Sequence, residues 1–224
     1  MKKIQYAAVI AVVALSSGQV AGQRGGADAP PAPPANAAHN HIGHVMTAWK
    51  DTPASQGFLP AAIADAKVAA VHAGYMQKSP DNLDSLKLHA GHVINALDPS
   101  IEAKGPGSGY GVKKAAAGAS QHAQLAAKSE GASKGVQTHA GHVSASLANV
   151  DQWTDAAVAT AQKIRAATSA AEAAPLVAEL TVQINNISNG LDANKDGSIG
   201  WQAGEGGLAQ ANQHMMLMMK GEGL

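Results

Sequence analysis

The sequence predicts an all-α fold, an up-and-down bundle of several helices that contains a duplicated helical hairpin. About a fifth of the residues are alanine and only 3% are aromatic, a composition that favours helices over strands. Residues 71–98 also align without a gap with residues 121–148, an offset of 50. No segment shows the polar and apolar alternation of a half-buried strand. Composition, repeat and periodicity therefore agree on a helical protein.

Turn and capping signals divide the chain into eight predicted helices. Ser79 and Pro80 form a start signal, with serine as the cap and proline at the first helical position. Gly190 is predicted to end a helix in the left-handed conformation. The segment between residues 105 and 111 is rich in glycine and is interpreted as a plain loop. The predicted helices are 38–50, 59–77, 80–97, 112–128, 132–149, 152–168, 175–190 and 205–220.

The chain begins with features of an export signal. Lys2 and Lys3 precede an apolar core, residues 7–15, that is too short to span a bilayer as a resident helix. Residues 1–22 are therefore interpreted as a signal peptide, and we expect a periplasmic or secreted protein without a membrane span once the signal is removed. The remaining domains are a Pro/Ala-rich tether over 23–38, a histidine-rich bundle over 39–150 and C-terminal helices over 151–224.

Charge and cysteine usage exclude several function classes. The formal net charge is +0, so no basic surface favours a nucleic-acid partner. The chain has no cysteine, which excludes disulfides, thiolate metal sites and covalent c-type haem. No nucleophile, kinase or dinucleotide-binding signature is present. The sequence therefore favours a binding protein over an enzyme.

Histidines recur in a regular frame. The string His-Ala-Gly-His-Val begins at residues 89 and 139, and His-Ile-Gly-His-Val precedes both. Antiparallel helices joined by a short turn bring together residues equally distant from the turn, so each hairpin of the repeat is predicted to join a third histidine to its His-x-x-His pair. Eight histidines would then lie at one height as a belt. The predicted transition-metal ligands are His41, His44, His72, His89, His92, His122, His139 and His142, and the two predicted hairpin sites are His72 with His89 and His92, and His122 with His139 and His142.

Three neutral imidazoles with an open position suit copper or zinc. The sequence thus predicts a metal-binding protein for sequestration, buffering or delivery, with metal ions and another envelope metal-handling or redox protein as partners. The alternative is a b-type haem or electron-transfer protein with two axial histidines. A second alternative is a non-catalytic helical scaffold in which only a calcium loop is functional.

That loop lies near the C-terminus, between two predicted helices. The residues Asp-Ala-Asn-Lys-Asp-Gly-Ser-Ile that begin at Asp192 resemble the calcium loop of EF-hand proteins. The resemblance implies a single EF-hand-like helix-loop-helix that binds Ca²⁺. Position 12 of the loop is Ala203 rather than glutamate, so Glu205 is the candidate last ligand. The implied ligands are Asp192, Asn194, Asp196, Ser198 and Glu205.

A methionine cluster follows this loop. His214 and Met218 are four residues apart in a predicted helix, and thus lie on one face. Imidazole and thioether together suit Cu(I). Methionine is also a flexible core filler, so packing is the alternative interpretation of the cluster.

Overall fold

The computed structural model describes residues 36–224. The predicted signal peptide and most of the predicted tether lie outside the described residues. Within the described part there is no strand, and an all-α fold is confirmed. The α-helices are α1 (Ala37–Met46), α2 (Phe58–Lys78), α3 (Leu83–Leu97), α4 (Val112–Lys128), α5 (Lys134–Ala166), α6 (Ala170–Asn189) and α7 (Leu208–Glu222), with a short 3₁₀ turn at Pro53–Ser55.

Side-chain caps set where several helices begin. Asn82, rather than Ser79, caps α3, because its side chain accepts from the Ser85 amide at 3.0 Å. Ser79 and Pro80 instead lie in the turn before it. Ser169 and Glu172 bracket the first turn of α6: the Glu172 amide donates to Ser169 Oγ at 3.1 Å, and the Thr168 amide donates to Glu172 Oε2 at 2.7 Å. This reciprocal capping begins α6 before Pro175, where the sequence predicted its start.

The long central helix α5 joins two predicted helices into one. A break was predicted between residues 149 and 152, but the helix continues for 33 residues. No glycine or proline follows Gly141 within α5, so nothing interrupts its backbone hydrogen bonds. Asn149, within the expected break, uses its side chain on another segment: its Nδ2 donates to the carbonyl oxygens of Gln202 and Gly206, and its Oδ1 accepts from the Gly204 amide.

Helices α2 and α5 form the centre of the bundle. Helix α5 packs against α3, α4, α6 and α7, and α2 packs against α3, α4 and α6. Helix α1 packs mainly on α4. Many buried positions are alanine, which lets helices approach closely. At Gly118 of α4 a Cβ atom would lie 2.5 Å from the ring of Phe58, so glycine is needed for that ring to pack.

The connection between α3 and α4 is fixed by a buried carboxylate. Asp65 of α2 accepts from the amides of Ser108 and Gly111 at 2.8 and 2.9 Å and from Ser108 Oγ at 2.6 Å.

None of the helices in residues 36–224 is both long and apolar enough to cross a membrane.

Candidate metal centres

Nine of the ten histidines gather into three groups of three. In each group, the three histidines offer ligand nitrogens that all lie within 4.8 Å of one another. In every group a His-x-x-His pair on one helix meets a single histidine from another helix. We name them triad A (His41, His44 and His122), triad B (His72, His89 and His92) and triad C (His139, His142 and His214).

Triad A joins the N-terminal helix to α4. His41 and His44 lie one turn apart on α1 and therefore share a face. The Nδ1 atom of His122 on α4 lies 3.0 Å from Nδ1 of His41 and 3.2 Å from Nδ1 of His44. His122 is buried, whereas the two α1 histidines are half-buried.

Triad B lies within the α2–α3 hairpin. The Nδ1 atom of His72 on α2 lies 2.9 Å from Nδ1 of His89 and 3.3 Å from Nδ1 of His92, both on α3. All three rings are half-buried. This is the triad predicted from the equal distances of His72 and His89 from the short turn between α2 and α3.

Triad C joins the long helix to the C-terminal helix. The Nδ1 atom of His214 on α7 lies 3.1 Å from Nδ1 of His139 and 3.4 Å from Nδ1 of His142, both on α5. The three rings are half-buried. The single histidine is again the one whose Nδ1 approaches both others, as in triads A and B.

Two of the three nitrogen separations in each triad are close to those of a metal tripod, and the third, within the His-x-x-His pair, is at most 4.8 Å. Two nitrogens bound to Zn²⁺ at about 2.0–2.1 Å in tetrahedral geometry lie roughly 3.3–3.4 Å apart. The six Nδ1 separations run from 2.9 to 3.4 Å. Small side-chain movements therefore suffice for all three imidazoles of a triad to bind one ion.

The triads favour neutral imidazole, the form that binds metal. Burial, and then the neighbouring His92 and His89, lower the pKa of His72 to about 4. Burial, followed by His142 and His139, likewise lowers the pKa of His214 to about 4. Burial and the two α1 histidines lower the pKa of His122. In each triad, the single histidine that comes from the second helix is thus held in its neutral form.

Each triad packs against an aromatic ring. In triad A the Trp49 ring lies 4.8 Å from His44 and 4.9 Å from His122, centroid to centroid. In triad B the Tyr75 ring lies 5.3 Å from His72. In triad C the Trp201 ring stacks on His142 at 3.9 Å, with an interplanar angle of 16°. These contacts restrict the orientation of the imidazoles.

The tenth histidine has a different role. His39 Nε2 lies 2.8 Å from Glu222 Oε2, and Ser133 Oγ donates to the other carboxylate oxygen at 2.6 Å. His39 thus ties α1 to α7 and belongs to none of the triads.

The predicted grouping of His122 with His139 and His142 is wrong. His122 belongs to triad A. The His139 and His142 pair on α5 lies close to His214 instead. Equal distance from a turn sets the height of a residue along a hairpin, but its direction depends on the rotation of each helix about its axis. The α5 pair faces α7 rather than α4. The predicted belt of eight histidines is accordingly replaced by three separate triads.

His214 is a candidate ligand that the belt prediction omitted. The sequence offers Met218 as its partner, because the two share a helix face. In the structure Met218 is buried in the apolar core, and the Nδ1 atom of His214 approaches the α5 histidines. The missed signal was that a His-x-x-His pair needs a third donor, which a distant helix can supply.

The predicted calcium ligands lie in a hydrogen-bonded turn without forming a comparable cluster. Asp192 accepts from the amides of Asp196 and Gly197, and Asp196 accepts from Ser198. Gly197 has a φ of 91°, which the sharp turn requires. Asn194 donates to Asp196 at 3.0 Å. The buried Glu205 accepts from the Gly200 amide at 2.9 Å.

Among the described residues, the carboxylates of Asp192, Asp196 and Glu205 do not gather within 4.8 Å as the histidines do. Calcium binding by this loop therefore stays a prediction.

Comparisons of the chain with protein-family models, curated proteins and solved structures find no match.

Proposed function

We propose that this protein is an exported, non-catalytic metal-binding protein that holds one copper or zinc ion at each histidine triad. The observation that carries the proposal is the threefold recurrence of the same donor set. Three helix pairs each bring three imidazole nitrogens together. One such cluster is compatible with packing, but in each triad one Nδ1 atom lies close to two others. A neutral ring nitrogen carries either one proton or one lone pair, so it can form a full hydrogen bond with only one of its two neighbours.

The donor type favours ions such as copper and zinc. Imidazole suits both metals, and three ligands leave a position open for exchange. No carboxylate belongs to any triad, so no side chain of the triads themselves is available as a general base for metal-assisted hydrolysis. Sequestration, buffering or delivery thus fits the sites better than catalysis does. The predicted signal peptide over residues 1–22 supports a role in the cell envelope or outside it, and we propose an envelope metal-handling or redox protein as the partner that receives the metal.

The haem alternative is less well supported. Two axial imidazoles bind a haem from opposite faces, so their ligand nitrogens are separated by the macrocycle and its iron. In each triad the nitrogens are instead 2.9–3.4 Å apart. That spacing suits one small ion bound by all three rings.

Calcium binding by the loop over 192–205 is a second proposed function. It is supported by the alternation of oxygen-bearing side chains at Asp192, Asn194 and Asp196, and by the positive φ of Gly197. The buried Glu205, held against Gly200, would need to reorient to become a ligand. A single loop of this kind would have a structural role.

Metal titration tests the main proposal. Chelator-treated protein is titrated with Zn²⁺, and separately with Cu²⁺, in a buffer that does not bind metal. We expect saturation at three equivalents per chain and no Soret band in protein purified from its native compartment. A Soret band would support the haem alternative, and the absence of stoichiometric metal, together with unchanged melting after chelation, would support the scaffold.

A further inference from the structure

A solvent-accessible cavity adjoins triad B. It has a volume of about 340 Å³, and His92 forms part of its wall. The remaining wall comes from α3, from the connection after α3 and from α5. The side chains that matter for its chemistry are Lys87, Glu102, Lys104 and Arg165.

The lining of this cavity carries excess positive charge. Three cationic side chains face one carboxylate, that of Glu102, which accepts from Arg165 Nη1 at 2.8 Å. Glu172 lies near Lys87 from outside the lining, and counting it still leaves one positive charge in excess. A divalent ion at triad B would add two more. Like charges at such close range repel, so the metal-loaded site favours an anion in the cavity.

The cavity wall is fixed before any ligand arrives. The buried Asn95 of α3 donates to the carbonyl oxygen of Glu102 at 2.9 Å and accepts from the Gly107 amide at 2.8 Å. At Gly105 a Cβ atom would lie 2.5 Å from the Asn95 side chain, so a residue without a side chain is required at this close approach. The segment that carries Lys104 is therefore held against α3.

Hydrogen-bond donors remain available around the cavity. Arg165 has five N–H donors, and only its Nη1 has a described hydrogen bond. Its Nε lies 3.9 Å from the position of a Cβ at Gly91, so the side chain covers the bare helix surface between His89 and His92. The Nδ1 atom of His92 faces His72. Its Nε2 is therefore the nitrogen left to donate, and metal-bound histidines usually donate their second N–H to a carboxylate, carbonyl or water.

We propose that this cavity binds one small oxyanion, of the carboxylate or phosphate class, together with the metal ion at triad B. The oxyanion accepts from Lys104, Arg165 and the His92 ring, and offsets the charge of the ion. The proposal rests on metal binding at triad B. It gives triad B a function that triads A and C do not share, namely uptake of the metal with its counter-anion.

Calorimetric titration of the full chain tests the proposal. Metal content is fixed first, with apo and Zn²⁺-loaded protein prepared side by side. Each is titrated with inorganic phosphate and, separately, with succinate, so that the two sources of an oxyanion are distinguished. The variants are Lys104→Gln and Arg165→Gln. The controls are Lys128→Gln and Lys220→Gln, exposed lysines outside the cavity that lose the same charge.

We expect one anion per chain, binding at least tenfold more tightly to Zn²⁺-loaded protein than to apo protein. Each cavity variant is expected to weaken binding at least tenfold, while the controls stay within twofold. Three bound Zn²⁺ ions without saturable binding of either anion would overturn the anion site and leave the metal proposal intact. Equal losses in cavity and control variants would overturn it as well, since binding would then follow overall charge. Failure to bind Zn²⁺ at all would overturn both proposals, and the metal analysis identifies that case separately.

Discussion

His122 lies with its Nδ1 atom 3.0 Å from Nδ1 of His41, although 81 residues separate them in the chain. The contact fixes the short N-terminal helix α1 on α4 through a pair of side chains that a metal ion would bridge. His214 and His139 form the same relationship between α7 and α5 over 75 residues. The first and the last helix of residues 36–224 thus each carry histidines of a triad, so their attachment to the bundle should depend on metal.

Metal removal should lower thermal stability. A ligand present at one hundred times its Kd stabilises the folded state by about 2.7 kcal/mol per site. For a domain of this size that corresponds to roughly 5–10 °C per occupied site. Scanning calorimetry of apo and Zn²⁺-loaded protein measures the shift. Identical melting temperatures at saturating Zn²⁺ would contradict binding to the folded state.

Stability of the apo protein should depend on pH in a defined window. The pKa of His72 and of His214 falls to about 4 on folding, from an ordinary value of 6.5, mainly because of burial. Between these values the unfolded chain binds more protons than the folded one, so stability rises with pH. The stability that the lowered pKa values of these two histidines contribute is complete above about pH 6.5 and is lost as the pH falls toward 4. Urea unfolding of apo protein from pH 4.5 to 7.5 measures this slope.

The matched variant is His72→Gln, which removes one of the two histidines with the largest lowering of pKa and should reduce the slope. His39→Gln replaces a histidine outside the triads and serves as the comparison. An apo protein with equal stability at pH 5 and pH 7 would be inconsistent with the lowered pKa values.

Trp201 should help to hold triad C in place. Its ring stacks on His142 at 3.9 Å, and aromatic pairs of this kind contribute about 0.5–1.5 kcal/mol. Trp201→Leu should therefore weaken one of the three Zn²⁺ sites by roughly two- to tenfold and leave the other two unchanged. Competition with a chelating dye measures the three affinities. Trp153→Leu is the control, since that partly buried ring packs on the core rather than on a triad. Equal effects of the two variants would indicate a general loss of stability.

Calcium binding by the loop over 192–205 predicts a melting temperature that depends on Ca²⁺. Asp192→Ala removes the carboxylate that accepts from the Asp196 and Gly197 amides. If the loop binds Ca²⁺, the variant should lower the melting temperature more in the presence of Ca²⁺ than in its absence. Shifts of equal size in both conditions would assign Asp192 a purely structural role in the turn.

The sequence predicted the helical class and triad B for clear physical reasons. Alanine content favours helices, and a four-residue turn sets His72 and His89 at the same height on α2 and α3, which also face each other. The other triads depend on tertiary packing. The direction of the α5 histidine pair follows from how that helix rotates against α7, which periodicity within the repeat does not determine. The predicted break in α5 was wrong because no glycine or proline interrupts the helix after Gly141, and Asn149 within the expected break directs its side chain to residues 202–206.

The metal stoichiometry of single-histidine variants tests most directly whether each triad binds one ion. Each of His72→Ala, His122→Ala and His214→Ala removes the histidine that approaches both partners in one triad, and His39→Ala removes the histidine that belongs to none. Metal content is measured by mass spectrometry after Zn²⁺ loading and desalting, with circular dichroism to verify folding. We predict three ions in the wild type and in His39→Ala, and two in each of the other variants. Folded triad variants that retain three ions, or a His39 variant that loses one, would contradict the assignment of metal to the three triads.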